Sequence, residues 1–220
     1  MKGKDLTERV YKKIKRDIML GKIPSGELFS EQMLADRYAC SRTPAREAAG
    51  QLVLEGFLNK YPSKGYIIRQ LTQKETREMY FCLYTLERTA LELSIHNAWG
   101  EDIQNLVDLI DKKPEDPEDA VFSNLIFHCE LARLSDNDAM VRLIEQLHCR
   151  LIRGDMEPLD NPYSYLGEKR SHVTPSTRAD QHRAIVNALL TRDLQAAQDA
   201  LRMDFYPSLS TLEQVSSSDL

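Results

Sequence analysis

The stretch LADRYACSRTPAREAAGQLVLEGFLNKYPSKGYIIRQ, residues 34–70, determines the predicted fold of the N-terminal part of this chain. Its central run SRTPAR places Arg42 and Arg46 four residues apart, at the start of a predicted helix. Thr43 is a suitable N-cap, and the proline after it has the φ angle of a first helical turn. Glu47 then lies in the first turn, where the helix dipole favours a carboxylate. The segment therefore predicts a helix whose exposed start carries two guanidinium groups.

Two helices are predicted before this one and a β-hairpin after it. The first helix runs from about Thr7 to Gly21, and a short helix opens at Ser30 with three residues turned inward, Met33, Leu34 and Tyr38. Two β-like runs, residues 57–61 and 66–71, are joined by the turn sequence PSKG, which makes a hairpin with a basic tip. Helix, helix, turn, helix and hairpin in this order predict a winged helix-turn-helix.

The pattern changes after residue 71, where the strand signal ends. Six following segments are amphipathic with the 3.6-residue period of a helix, and the polar segment 154–178 interrupts them. The predicted fold class is therefore mainly α. We expect a winged helix-turn-helix DNA-binding domain in residues 1–71 and an all-α helical bundle, with ligand-binding and dimerisation roles, in residues 72–220.

Composition and charge narrow the possible classes of protein. The 220 residues contain no apolar run of about 18 residues and no signal-peptide pattern, so neither a membrane partner nor secretion is expected. Four widely spaced cysteines without a C-x-x-C pair predict free thiols in a reducing cytoplasm. Residues 1–70 hold 14 Lys/Arg and 8 Asp/Glu, a balance of +6, whereas the remainder holds 15 and 26, a balance of −11. Such a charge division is typical of a polyanion-binding module joined to an acidic partner domain.

The two arginines are suited to contact with nucleic acid. A recognition helix enters the major groove by its N-terminal end, and the planar fork of Arg binds guanine or phosphate through two hydrogen bonds. The hydroxyls of Ser41 and Thr43 can bond phosphate oxygens, and the helix N-terminus itself attracts anions. Two arginines with this spacing, taken alone, are more often a solvated helix face. Their place in a helix-turn-helix on the basic side of the chain favours DNA contact.

The same stretch resembles the DNA-binding domain of GntR-type bacterial transcription regulators. The usual form of that domain is L-A-x-x-x-x-V-S-R-T-P-V-R-E-A-L-x-x-L-x-x-E-G-L, followed by a basic wing with a glycine at its tip. The resemblance covers nearly all of residues 7–71. This chain departs from the usual run only by small apolar replacements outside the contact set, at Cys40, Ala45 and Ala49.

The resemblance implies which residues contact DNA. Those on or beside the recognition helix are Ser41, Arg42, Thr43 and Arg46. Those at the wing are Ser63, Lys64 and Gly65. Gln32 stands where such proteins carry a contacting Arg on the preceding helix, and its side chain is shorter and uncharged.

The helical part resembles the FCD effector domain of the FadR branch of that family, over about residues 72–213. Many FCD domains bind a metal through an Asp-x-x-x-His pair and two further histidines. The matching positions here are Asn124, His128, His182 and Asp204. Two imidazoles with a carboxylate suit a divalent metal such as Zn, Ni or Mn. Asn124 replaces the usual Asp and Asp204 the usual His, so the implied set is altered at two positions.

Other interpretations of these side chains remain open. His128 could be a hydrogen-bonded core histidine and His182 a surface residue at a helix start. Leu83 stands where a pocket-facing Arg is frequent in FCD domains, which argues against a small carboxylate effector held in the usual way. The remaining histidines share no spacing and are interpreted as surface or core residues, namely His96, His148 and His172.

The sequence thus predicts a cytoplasmic, homodimeric, sequence-specific transcription regulator. Its partners are double-stranded DNA with a palindromic operator and a small-molecule effector, a metabolite, that changes operator affinity. One alternative is a DNA-binding helical scaffold that has lost metal and effector sensing. A second is a metal-dependent hydrolase, which the absence of a nucleophile elbow, P-loop or dinucleotide fingerprint disfavours, so the chain is predicted not to be an enzyme.

Overall fold

The chain folds into two units: the first comprises the residues up to Leu71 and residues 152–156, and the second begins at Thr72 and comprises the other described residues. The computed structural model of the protein describes residues 2–98, 100–156 and 175–216. Within these ranges it contains nine helices and one two-stranded antiparallel hairpin, which confirms the predicted mainly α fold. None of the helices in the described ranges has the length and apolar character needed to cross a membrane.

The N-terminal unit is organised around the third helix. Its helices are α1 (Lys2–Met19), α2 (Glu31–Arg37) and α3 (Arg42–Leu54), and both α1 and α2 pack on α3. Small side chains on α3 allow this close packing, because alanines leave room for the neighbouring helix. The α3 residues with no exposed surface are Ala45, Ala48, Ala49 and Leu52, and α1 buries Val10, Ile14 and Ile18 against the same core.

The hairpin consists of β1 (Leu58–Tyr61) and β2 (Gly65–Ile68) in antiparallel register. Phe29, just before α2, exchanges two backbone hydrogen bonds of 2.9 Å with Tyr66 and so adds a bridge to the hairpin. Gly65 has φ +129°, and a Cβ at this position would overlap the carbonyl oxygen of Phe29. The backbone of the wing can therefore approach the segment before α2 only because residue 65 is a glycine.

Six helices follow Thr72 in the described ranges, and they form the second unit except for residues 152–156 at the end of the fourth of them. They are α4 (Gln73–Asn97), α5 (Gly100–Asp111), α6 (Pro117–Arg133), α7 (Asp138–Met156), α8 (Pro175–Leu190) and α9 (Leu194–Ser216). Thr72 and Glu75 form a capping box that starts α4. Helix α9 packs on α4 and α8, and α6 packs on α4 and α5. The core between them is aliphatic and aromatic, with Leu83, Leu91, Leu106, Phe127, Leu131, Ile144 and Ile185 among its fully buried members.

The start of α3 differs from the sequence-based expectation. Helix α3 begins at Arg42 with Ser41 as its N-cap, so the prediction of Thr43 as the cap was wrong. Glu47 consequently lies in the second turn, and the first turn contains no acidic residue. The Glu47 carboxylate accepts a hydrogen bond of 2.9 Å from the Thr7 hydroxyl on α1 and is not in the first turn of its own helix.

The other local predictions have mixed outcomes. Ser30 caps α2 as expected, and its hydroxyl accepts the Met33 amide at 3.2 Å. The Met33 side chain, however, is 56% exposed and not turned inward, because the face of α2 that packs on α3 presents Leu34 and Ala35. Helix α1 begins at Lys2, earlier than expected. Most of the polar segment 154–178 and all of His172 lie outside the described residues.

Replacing Gly65 with Ala should loosen the wing. The clash with the Phe29 carbonyl and the strained φ angle should cost about 1–3 kcal/mol of local stability. Hydrogen exchange of the Phe29 and Tyr66 amides should therefore be faster in the variant, by roughly 5- to 150-fold.

Gly50 of α3 provides a matched control. A Cβ there meets no atom within 4 Å, so Gly50→Ala should stabilise the helix by about 0.5–1 kcal/mol. Equal protection of the two amides in Gly65→Ala and in the unmodified chain would contradict the steric argument.

Candidate functional site

The start of α3 exposes two guanidinium groups. Arg42 and Arg46 are both exposed, and neither forms an ion pair with a residue in the described ranges. Ser41 has an extended backbone and makes no side-chain capping bond, so its hydroxyl is not used by the helix. Thr43 is exposed beside it. The first turn thus combines positive side chains, a free helix N-terminus and two hydroxyls, which is the chemistry that binds phosphate.

The two carboxylates of α3 and of its C-terminal cap form hydrogen bonds with α1. Glu47 accepts the Thr7 hydroxyl at 2.9 Å. Glu55, just after α3, accepts Tyr11 at 2.7 Å and the Lys15 ammonium at 2.9 Å. Burial, opposed by the nearby Lys15 and assisted by Glu55, raises the Tyr11 pKa to about 12, so the phenol stays a donor. These contacts direct the acidic groups of α3 towards α1 and leave its start cationic.

The wing tip carries a second basic position. Ser63 and Lys64 are exposed, and Gly65 is partly exposed. Ser63 has φ +60°, and the Lys64 amide donates to the Tyr61 carbonyl at 3.1 Å, which closes the turn. The tip therefore presents an ammonium group on a compact loop that can approach a nucleic-acid backbone.

The base of the wing is joined to α2 and lies near α3. The Tyr66 hydroxyl donates to Glu31 Oε1 at 3.4 Å. Burial and the Glu31 carboxylate raise the pKa of Tyr66, whereas the positive charge of Arg46 acts in the opposite direction. Gln32, the next residue of α2, is exposed, and its Nε2 donates to Asp36 Oδ1 at 2.7 Å. The DNA-contact residues predicted from the sequence are thus on or next to α2, α3 and the wing.

In the second unit, three of the four predicted metal ligands lie close together. His128 Nε2 is 3.2 Å from Asp204 Oδ2, and His182 Nε2 is 3.7 Å from Asp204 Oδ1. One donor atom from each of the three lies within 4.8 Å of the others. The His182 ring stacks on Phe127 with a centroid distance of 3.7 Å. Asn124 lies one turn before His128 on α6 and is partly exposed.

Two further buried groups complete the cluster. Glu87 of α4 is 1% exposed and binds two imidazoles, accepting His128 Nδ1 at 2.5 Å and His148 Nε2 at 2.7 Å. The rings of His128 and His148 are stacked 4.8 Å apart. We define the histidine cluster as Glu87, His128, His148, His182 and Asp204.

Opposite charges within the cluster shift the pKa values of its members. Burial disfavours the charged form of His128, but Glu87 and then Asp204 outweigh it and raise the His128 pKa to about 10. Burial would also raise the Glu87 pKa, yet His128 and His148 lower it. His128 lowers the pKa of Asp204 against the opposing effect of burial. A protonated His128 between two carboxylates is therefore the charge state that the described side chains favour in the absence of another cation.

The other two histidines of the cluster are neutral. Burial and the nearby positive His128 lower the pKa of His182 to about 3. Burial also lowers the pKa of His148, against the effect of Glu87. Neutral imidazole is the form that binds metals. His182 Nε2 is buried and has no hydrogen-bond partner in the described part of the chain.

Sequence reasoning missed Glu87 and His148 as members of this cluster. Each interrupts an apolar helical stripe, Glu87 between Leu83 and Leu91 on α4, and His148 between Ile144 and Ile152 on α7. A charged or polar residue at a core position was therefore the available signal.

Of the remaining predictions, Leu83 is fully buried, His96 is exposed, and the four cysteines are free thiols.

Comparisons with known proteins agree with this architecture. The model of the FCD domain matches residues 78–205, and the model described as bacterial regulatory proteins, gntR family, matches residues 6–68. The HTH-type transcriptional regulator YdhC of Bacillus subtilis (strain 168) is 27% identical over 220 residues, covering 93% of this chain and 90% of that protein. The HTH-type transcriptional regulator McbR of Escherichia coli (strain K12) is 23% identical over 219 residues, covering 97% and 96%.

A solved structure has the same fold. The structure of E. coli McbR/YncC superimposes with a TM-score of 0.76 at 22% identity, over 96% of this chain and 98% of that one. The matched families and relatives are transcription regulators and not enzymes, which confirms the prediction of a DNA-binding regulator with a C-terminal effector-binding domain. The chain belongs to the GntR family of bacterial regulatory proteins and carries an FCD domain after its winged helix-turn-helix.

Proposed function

We propose that this regulator acts in the cytoplasm as a homodimer on a palindromic operator, with its affinity set by a small metabolite. The supporting observation is the pair of exposed guanidinium groups at the start of α3, whose own carboxylate Glu47 and the following Glu55 form hydrogen bonds with α1. Arg42 and Arg46 supply the fork geometry for guanine or phosphate. Ser41, Thr43 and the wing residues Ser63, Lys64 and Gly65 contact the backbone beside them.

The dimer follows from the size of the recognition surface. A single α3 helix with its wing covers only a few base pairs, which is too little to specify a site in a genome. Two modules related by a two-fold axis contact two half-sites, and the operator then has the same symmetry.

An effector changes operator affinity only if it binds one arrangement of the two modules better than the other.

We further propose that the FCD domain holds a divalent metal through His128, His182 and Asp204. The donor set suits the site, because two imidazoles and a carboxylate match Zn, Ni or Mn. The buried, unpartnered His182 Nε2 is the observation that supports a cation here. When bound, such a metal supplies positive charge and coordination positions for oxygen atoms of an effector. Asn124 is the fourth candidate, a carbonyl ligand one turn from His128.

Glu87 has a positioning role in this proposal. Its carboxylate accepts His128 Nδ1–H, which orients the ring so that Nε2 points towards Asp204. A carboxylate behind a ligating histidine also raises the basicity of the ring. The bond from His148 holds the second carboxylate oxygen, so Glu87 cannot rotate away without breaking both contacts.

One observation favours the scaffold alternative. Because His128 bonds Glu87 through one nitrogen and lies 3.2 Å from Asp204 through the other, a protonated imidazole can itself contact both carboxylates and offset one of their two negative charges. A metal must displace that proton from Nε2. The two candidate functions therefore differ in which cation balances Glu87 and Asp204, and metal analysis separates them.

Replacing Arg46 with Ala should weaken specific operator binding by about 1–3 kcal/mol, because a bidentate contact to a base is lost. The measurement is a titration of the full chain with a duplex selected from a random library. Arg9→Ala, which removes an exposed arginine on the face of α1 turned away from α3, is the matched control and should change affinity little. Unchanged operator affinity for Arg46→Ala would remove this residue from the interface.

Elemental analysis of the purified chain should find roughly one divalent metal ion per protomer. His182→Ala should lose the metal, whereas His96→Ala, which alters an exposed histidine on α4, should keep it. Chelation should then lower the melting temperature of the unmodified chain and leave that of His182→Ala unchanged. A metal-free chain that melts at the same temperature with and without chelator would support the scaffold instead.

Replacing Glu87 with Ala should lower the free energy of unfolding of the second unit by about 3–5 kcal/mol, because it leaves buried imidazoles without their carboxylate. Urea denaturation followed by the fluorescence of the single tryptophan measures this change. Glu78→Ala, an exposed glutamate on the same helix, should stay within about 0.5 kcal/mol of the unmodified chain. Equal stability of the two variants would show that Glu87 is not the central partner of the cluster.

A further inference from the structure

The first turn of α2 is fixed against the wing. Phe29 and Tyr66 exchange two backbone hydrogen bonds, and the Tyr66 hydroxyl donates to Glu31. The Cα of Ser30 lies 3.2 Å from the position that a Cβ on Gly65 would occupy. Three consecutive residues before Gln32 are therefore in contact with the strand that follows the wing tip, which places the backbone of Gln32 next to the wing.

The start of α3 lies in the same neighbourhood. Arg46 is close enough to Tyr66 for its charge to act on the phenol, and Tyr66 contacts the residue next to Gln32. Helix α2 also packs directly on α3. Gln32 is exposed, so its amide is available to a molecule that binds between the α3 start and the wing.

Asp36 determines the orientation of the Gln32 amide. Gln32 Nε2 donates to Asp36 Oδ1 at 2.7 Å. An ionised carboxylate only accepts hydrogen bonds, so the amide nitrogen must face Asp36 and the amide cannot be turned over. The second Nε2–H and the Oε1 acceptor remain available. Together they offer one donor and one acceptor on the same amide.

That arrangement complements one base edge in the major groove. Adenine presents N7, an acceptor, next to the N6 amino donor, and Gln binds this pair through two hydrogen bonds. Guanine presents two acceptors, N7 and O6, and its O6 would face the Gln32 carbonyl oxygen. An arginine at position 32 would have the opposite preference, because the guanidinium group only donates.

The exposure of the Asp36 carboxylate also favours a role in orienting the Gln32 amide. Asp36 forms no ion pair with any residue in the described ranges, although a negative charge next to a DNA surface weakens binding by Coulomb repulsion. Within the described part of the chain, this carboxylate forms a hydrogen bond with the Gln32 amide alone. A carboxylate at this place reduces affinity but fixes the neighbouring amide, which is a contribution to specificity.

We propose that Gln32, oriented by Asp36, recognises an adenine in each half-site of the operator. This inference rests on the proposed DNA contact of α2, α3 and the wing. Gln32 is then a specificity-determining residue, and Asp36 is the residue that positions it. Exchange of the recognised A·T pair for G·C should lower the affinity of the unmodified chain by about 5- to 150-fold.

The test is selection of binding sites from a randomised duplex library, followed by titration of the selected site and of single-pair exchanges. Full-length Gln32→Arg should select G·C where the unmodified chain selects A·T, and Gln32→Ala should lose the preference at that pair only. Asp36→Ala should bind random DNA at least as tightly as the unmodified chain but discriminate less at the same pair. Asp5→Ala, on α1, removes an equal charge and should leave the preference intact.

The outcomes separate this inference from the proposed function. If sites are enriched and Arg46→Ala weakens them, but Gln32→Arg and Gln32→Ala select the same sequence as the unmodified chain, the adenine contact is wrong. A loss of affinity that is equal for all sequences in Gln32→Ala would mean a phosphate contact and would also overturn it. Unchanged discrimination in Asp36→Ala would reject the positioning role. If no site is enriched at all, the DNA interface itself fails, and this inference fails with it.

Discussion

The start of α3 must stay exposed and cationic while one face of the same helix is buried, and the N-terminal unit depends on this constraint. Burial is achieved by alanines, which let α1 and α2 approach the helix closely. The positive charge at the helix start is preserved because α1 binds the nearby carboxylates. Thr7 donates a hydrogen bond to Glu47, and Tyr11 and Lys15 donate to Glu55. Without these contacts the acidic groups would be available to pair with the arginines and reduce the positive potential towards DNA.

The same unit connects α2, α3 and the wing through one buried tyrosine. Tyr66 is bonded to Phe29 through the backbone and to Glu31 through its hydroxyl, and it lies within the electrostatic range of Arg46. A wing held in this way keeps Lys64 at a constant distance from the recognition helix. Pre-positioned contacts lower the entropy cost of binding, so less of the interaction free energy is lost when DNA binds.

In the FCD domain a single buried carboxylate has the corresponding role. Glu87 contacts histidines from α6 and α7, and His128 extends the chain of contacts to Asp204 on α9. A buried charge is tolerated only when its partners compensate the loss of hydration, which explains why the cluster contains both carboxylates and imidazoles. Its members come from five helices, so a change of the cation at its centre acts on most of the bundle at once.

The sequence by itself determined the order of the elements, the family and the exposed arginines. These features depend on local signals such as apolar periodicity, Ser30 before α2 and the glycine in the hairpin, which act within a few residues. Only the tertiary structure decided that Glu47 bonds Thr7 of α1, which is 40 residues away in sequence. It also brought Glu87 to His128 and His148, which are 41 and 61 residues away in sequence. Such pairs have no characteristic spacing in the sequence. They meet because the packing of the whole core sets how each helix is rotated about its axis.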